Sequence, residues 1–199
     1  MTHSPMDPTD AFTELGRVAL GETSLDDVLQ HVAEMGQRVL PVPVEVSVTL
    51  FRGEAAHIAA SAGDLAFDLD EPRYAPRSGP CLDAATTGAV LSVPDLGIEN
   101  RWPEWGERAR SIGVGSSVSI GMPVQEAVVG ALNVHARTPL AFDDDTITVL
   151  ETLAAYAAVA LANARLCDST ASLARQLHEA TSLPISSRAA AAGGQPARR

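Results

Sequence analysis

The stretch Val44-Glu45-Val46-Ser47-Val48-Thr49-Leu50-Phe51 decides the fold class. Val44, Val46, Val48 and Leu50 alternate with Glu45, Ser47, Thr49 and Phe51. Successive side chains of a strand point to opposite faces, so a period of two predicts a strand with one apolar face. The turn Arg52-Gly53-Glu54 leads into a second strand near Ala55 to Ser61, which makes a hairpin. The alternation returns at Val114, Ser116, Val118, Ile120 and Met122, and again at Gly130, Leu132 and Val134. Those two strands are expected to join through Pro123 to Ala127. Val90 to Val93 reads as a short strand that Pro94 stops. Strands joined by short turns pair antiparallel.

The flanking segments change to helical spacing. Leu25, Val28, Leu29, Val32, Met35 and Val39 form one apolar stripe, with Ser24 placed to cap it and Asp26 and Asp27 in its first turn. Pro41 and Pro43 stop that helix. Phe12, Leu15 and Ala19 predict a shorter helix before it, ended by Gly21. Cys81 to Thr87 reads as a short helix ended by Gly88, and Asp95 to Ile112 as a loop followed by a helix. The irregular, Asp- and Pro-rich stretch from Gly63 to Pro80 carries no periodicity. Asp143-Asp144-Asp145 caps a long helix from about Thr146. Antiparallel hairpins with helices gathered at both ends of the chain give an α+β fold rather than a doubly wound one.

The long helix is apolar over most of its circumference. Ile147, Leu150, Ala154, Ala157, Leu161 and Ala164 form one face; Val149, Leu153, Tyr156, Ala160 and Asn163 form a second. Such a helix is buried on two sides. Beyond it Leu166, Thr170, Leu173, Leu177 and Ala180 continue with coiled-coil-like spacing. A parallel homodimer through Leu153, Tyr156, Leu166, Leu173 and Leu177 is therefore expected, against the alternative of an intramolecular bundle with the first two helices.

Composition narrows the function classes. Of the 199 residues 46% are hydrophobic but only 4% aromatic, so the core is built from aliphatic side chains. A net charge of −11 and a pI near 4.7 repel phosphate backbones, so nucleic-acid binding by this chain is not expected. Cys81 and Cys167 are the two cysteines and form no metal-type pair, which fits a reducing compartment. The polar, acidic N-terminus is no secretory signal. Leu153 to Ala162, the most apolar window, is shorter than the about 20 residues a bilayer span needs. A soluble, cytoplasmic protein without membrane contact is expected. Residues 1–8 read as disordered, 9–166 as the globular domain, 167–183 as a helical extension and 184–199 as a disordered tail of Ser, Ala, Gly, Pro and Arg.

The sequence resembles a GAF domain, and specifically the sensor half of actinobacterial GAF-ANTAR transcription antitermination regulators. The residues that carry the resemblance are VEVSVTLFRG (Val44 to Gly53), SGPCLDAATTG (Ser78 to Gly88), VPDLGIENRWPEW (Val93 to Trp105), GALNVHARTPLAFDDD (Gly130 to Asp145) and LAAYAAVALANARL (Leu153 to Leu166). The resemblance covers about Leu25 to Leu183. It implies a central antiparallel sheet with the terminal helices on one face and a loop-covered ligand pocket on the other. The three-helix RNA-binding domain that follows in such regulators is expected near Ser187-Arg188, where AAAAGGQPARR stands instead. The pattern of cyclic-nucleotide-binding GAF domains is met only in fragments, Asn100-Arg101 and Phe142, so cyclic GMP is not supported.

Within that framework the second sheet face carries Ser47, Thr49, His57, Ser117, Ser119, Gly121, Asn133 and His135. Small polar groups leave room and hydrogen-bond partners for a small ligand, although an antiparallel sheet also exposes such a face to water. Trp102 and Trp105 either wall this pocket or fasten the loop to the core. Cys81, at a helix start, is a candidate redox thiol, set against the plainer reading of a small buried apolar residue. An enzyme of the GAF-fold methionine sulfoxide reductase type would use Cys81, and a dimerisation scaffold without ligand is the other alternative. Haem on His57 or His135 is a further possibility. The five histidines form no zinc-type cluster, and the Asp143 to Asp145 run is explained as a cap. The expectation is a sensory module, not an enzyme, with no resident cofactor or metal.

Overall fold

The alternation at Val44 to Phe51 is realised as β1 (Val44–Arg52), one of five strands in an antiparallel sheet of order β2-β1-β5-β4-β3. The computed structural model describes residues 5–19, 24–52, 55–65, 69, 78–124 and 128–182. The other strands are β2 (Ala55–Ala62), β3 (Val90–Val93), β4 (Ser116–Val124) and β5 (Val128–Ala136). The helices are α1 (Pro8–Ala19), α2 (Leu25–Val39), α3 (Pro80–Thr87), α4 (Pro103–Ser111) and α5 (Asp144–Ser182). The turns expected at Gly53-Glu54 and within 125–127, the helix end at Gly21, most of the 63–80 stretch and the tail at 184–199 lie outside the described residues.

Register gives the sheet its two faces. Directly paired residues share a face, and one face stacks Val46, Val134 and Val118, then Val48, Leu132 and Ile120, then Leu50, Gly130 and Met122. These residues join Leu15, Leu29, Val32, Met35, Leu150, Leu153, Ala157 and Leu161 of α1, α2 and α5 in one core. Burying each large aliphatic side chain contributes roughly 1.5–3 kcal/mol. The expected cap holds α2 in place: the Asp27 N–H donates to Ser24 Oγ at 3.2 Å. A Cβ on Gly36 would sit 3.1 Å from Val46 Cγ2, so glycine lets α2 lie close against β1.

A β-bulge between Val48 and Thr49 alters the pattern on the β1–β2 ribbon. Val48 pairs with Ala60 while Thr49 pairs with Ile58, which leaves Ala59 as the extra residue. His57 thus falls opposite Leu50, a residue of the helix-backed face, and it is exposed. Its expected place beside Ser47 and Thr49 is corrected: simple alternation along β2 misses the inserted residue.

The chain divides into two units, Met1–Ala162 and Asn163–Arg199. In the first, α5 buries Leu150, Leu153, Ala154, Ala157 and Leu161 and leaves Val159 60% exposed. Leu153 and Tyr156, expected at a dimer interface, face the chain's own core; the Tyr156 hydroxyl donates to the Leu15 carbonyl of α1. A helix apolar all round does not announce which side faces its own sheet, which is why the sequence misassigned them. The second unit is helical to Ser182, and the side chains of Leu166, Leu173 and Leu177 lie outside the described residues. Asp144–Ala164 forms a continuous stretch of mean hydropathy 1.5, with 28% of it buried; by length and composition alone it is long enough to cross a membrane. The shorter window read from the sequence is corrected to that extent.

Candidate functional site

The second sheet face is polar and dry. Its rows run Glu45, His135, Ser117 and Val93; then Ser47, Asn133, Ser119 and Leu91; then Thr49, Ala131 and Gly121. Ser47, Ser117, Ser119 and Asn133 are fully buried, and Thr49 and His135 are 2% exposed. Buried polar groups are costly unless they are hydrogen-bonded. Here they bond one another. Asn133 donates through Nδ2 to Ser47 Oγ at 3.1 Å and to Thr49 Oγ1 at 3.2 Å, and its Oδ1 accepts from Ser119 Oγ at 2.9 Å. Ser117 Oγ and His135 Nδ1 lie 2.9 Å apart.

The chemistry offered is neutral and bifunctional: hydroxyls and an amide that both donate and accept. The Ser117–His135 contact is of the hydroxyl–imidazole kind that activates nucleophiles, but here it lies buried in the sheet. Glu45, next in that row, accepts the Leu65 N–H and faces Arg137 Nη2 at 3.6 Å, so its carboxylate is engaged at the sheet's end. Among the described residues no group of three or more His, Cys, Asp or Glu is arranged to hold a metal.

Two covers lie over this face. The first is α3, whose Ala85, Cys81 and Leu82 pack with Phe51 and Ala131. Its approach is close: a Cβ on Gly121 would lie 2.0 Å from the Ala84 carbonyl oxygen, so only glycine fits that point of β4. The second is a small core of Trp102, Trp105, Leu65, Leu69, Leu96, Ala109 and Val114, gathered around Val93. The two indoles meet edge to face at 6.3 Å. Both tryptophans are buried in this core, and Trp102 Nε1 donates to Asp83 Oδ2 of α3 at 2.7 Å. Of the two roles open to them from the sequence, walling a pocket or fastening the loop, these contacts are of the second kind.

The loop before α4 is braced by charge. Arg101 stacks over the Trp102 ring at 4.4 Å, donates to the Ser92 carbonyl at 2.6 Å and pairs with Glu99 at 2.6 Å. The hydrogen bonds from Arg101 hold the Glu99 carboxyl below its ordinary value, against the opposing effect of burial. Asp83 and Glu99 were not singled out from the sequence as parts of a site, and Gly121 was read as a small residue of the face rather than as the seat of α3. Asp83 and Gly121 meet partners from other elements, and Glu99 pairs with Arg101 two residues on, a spacing common enough to mark nothing.

The structure brings together Ser47, Thr49, Ser117, Ser119, Asn133 and His135 on one face. It places Cys81 on the cover of that face, half-buried, and sets His57 apart. Comparison with known proteins fits this architecture. A family model described as the GAF domain matches residues 22–162. No curated protein matches the sequence. Among solved structures, the phycoerythrobilin-bound GAF domain from a cyanobacterial phytochrome is 16% identical over 82% of this chain and 98% of that one, with a TM-score of 0.64. A free methionine-R-sulfoxide reductase from Neisseria meningitidis, solved in complex with its substrate, is 17% identical over 82% and 96%, also with a TM-score of 0.64. A domain of a two-component sensor histidine kinase protein from Sinorhizobium meliloti is 16% identical over 72% and 94%, with a TM-score of 0.59. At these identities the likeness is one of fold.

Proposed function

The chain belongs to the GAF domain family, and on that premise we propose that it is a cytoplasmic sensory module. In this reading it takes a small, uncharged polar ligand at the Asn133 face and passes occupancy on through helix-mediated homodimerisation. The role is one in signal transduction or transcription regulation, as the resemblance to GAF-ANTAR regulators implies. The observation that carries it is the dry polar row of Ser47, Asn133 and Ser119 beneath two separate covers. A face built only for stability would gain more from aliphatic side chains, which need no partners. The polar row keeps a set of donors and acceptors ready to exchange their mutual bonds for bonds to a ligand.

The −11 charge supports a chain that does not bind RNA by itself. An enzymatic reading has one specific support, the fold likeness to a methionine sulfoxide reductase together with Cys81 on the cover of the face. It needs a second, resolving thiol. The non-enzymatic reading is preferred because Cys81 is the one cysteine that the sequence pattern places at this face.

Native mass spectrometry of freshly purified protein tests the proposal. The expected result is the mass of two chains with a retained small molecule. Leu173→Glu with Leu177→Glu should then give single chains, because a charge in a coiled-coil seam is strongly unfavourable. Single chains of the unaltered protein at micromolar concentration, without any retained molecule, would overturn it.

A further inference from the structure

We propose that α3 is a flap over the polar rows, hinged at its C-terminal end and held shut by the hydrogen bond from Trp102 to Asp83. The inference rests on the polar face being the ligand site.

The two ends of α3 are fixed by different means. At the C-terminal end Gly88 adopts the left-handed conformation with φ 70° and its N–H caps the Ala84 carbonyl at 2.8 Å. There the Gly121 N–H donates to the Ala89 carbonyl at 3.0 Å, and the Gly121 backbone lies directly under Ala84 and Gly88. This end is tied to β4 by backbone alone and has no room to shift. The N-terminal end has no such tie to the sheet. Gly79, its N-cap, offers no side-chain cap, and Pro80 follows it. What holds this end among the described contacts is the tryptophan core: the Trp105 ring lies against Gly79, where a Cβ would be 3.2 Å from Cδ1, and Trp102 Nε1 bonds Asp83 at 2.7 Å.

These contacts sit where they decide access. The α3 side chains lie on the Ala131 and Phe51 end of the face, the tryptophan core lies at Val93, and the Ser47–Asn133–Ser119 row runs between those two positions. The Trp102–Asp83 bond joins the two covers. An indole N–H donating to a carboxylate is a charge-assisted bond, stronger than a neutral one and lost as a unit. Arg101 over the ring and Glu99 beneath Arg101 hold the indole in its donating position. Breaking the bond frees the uncapped end of α3 to swing about Gly88, and the polar row is then open to solvent and ligand.

The test uses the full chain in a Cys167→Ser background, so that Cys81 on α3 is the one thiol. Its reaction rate with a soluble thiol reagent and the hydrogen exchange of α3 amides are measured together, with α2 amides as the control. Trp102→Phe keeps the aromatic bulk and removes the donor; Asp83→Ala removes the acceptor; Asp83→Asn restores an acceptor of the same shape. The expected outcome is about a tenfold rise in both readouts for Trp102→Phe and Asp83→Ala, near-unaltered rates for Asp83→Asn, and unchanged α2 exchange. Unchanged α3 exchange in Trp102→Phe and Asp83→Ala, or α2 exchange rising in step with α3, would overturn the flap. The readouts need no ligand, so a flap that opens as stated on a protein that retains no molecule would fault the ligand reading and leave the flap standing.

Discussion

Leu132 and Asn133 are neighbours on β5, both fully buried, and on opposite faces of the same sheet. Leu132 meets Val48 and Ile120 across the strands and is backed by helices; Asn133 meets Ser47 and Ser119 and lies beneath covers formed by α3 and the tryptophan core. Both faces exclude water, but by opposite chemistry. On the helix side, removing hydrocarbon from water is itself the driving force. On the other side, each buried hydroxyl and amide loses hydration that a partner only replaces, so burial there is near neutral at best. The contrast separates the face that drives folding from the face on which the proposed site rests. It also makes definite claims about energy.

The largest expected effect is on the helix-backed face. Leu132→Ala should destabilise the domain by about 2–5 kcal/mol, from lost transfer energy and the cavity left behind. Denaturant unfolding of the purified variant measures it. Asn133→Ala should cost less, about 1–3 kcal/mol. It removes three hydrogen bonds, but the Ser47, Thr49 and Ser119 hydroxyls can rotate toward one another or toward a water taking the amide's place. If Asn133→Ala proves the more damaging of the two, the polar row is a structural keystone and the division between the faces fails.

The two faces were not equally legible in the sequence. Val44 to Leu50 and Val114 to Met122 announce strands by alternation, and the helix-backed core followed from them almost residue by residue. The polar set Ser47, Thr49, Ser117, Ser119, Asn133 and His135 was legible as a face for the same reason. That its members bond one another was not, since Asn133 and Ser47 are far apart in sequence and meet only through the β1–β5 register. A single bulge residue, Ala59, was enough to carry His57 to the other side, because one inserted residue inverts every side chain beyond it. The inward turn of Leu153 was hidden by the uniform apolarity of α5. The covers were hardest to foresee: the bond from Trp102 to Asp83 and the seat of Ala84 on Gly121 depend on how loops fold back, which leaves no periodic trace.

The smallest expected effect separates the two sides by acidity. Asp143 caps α5 on the helix side, its Oδ1 accepting the Thr146 N–H at 2.8 Å, and Glu99 braces the tryptophan cover through Arg101. Both carboxyls titrate below their ordinary values, Asp143 chiefly through hydrogen bonding to Thr146 and Glu99 chiefly through that to Arg101. A carboxyl held lower in the folded state contributes stability that is complete above its unfolded value, near 4, and is lost as the pH falls through the folded one. The contributions are small because Asp143 is exposed and Arg101 is half-exposed, so water screens them. They are nonetheless separable, since the chain's two tryptophans both lie in the cover and report on nothing else. Lowering the pH below about 4 should shift the indole emission as Arg101 loses its anchor and leaves the Trp102 ring. Glu99→Gln should abolish that shift while the far-ultraviolet helical signal keeps the acid response of the unaltered protein. Asp143→Asn should do the reverse, leaving the emission shift in place and reducing the acid response at the start of α5. An emission shift that persists in Glu99→Gln would mean that the cover loosens for another reason, and that the Glu99–Arg101 pair does not brace Trp102.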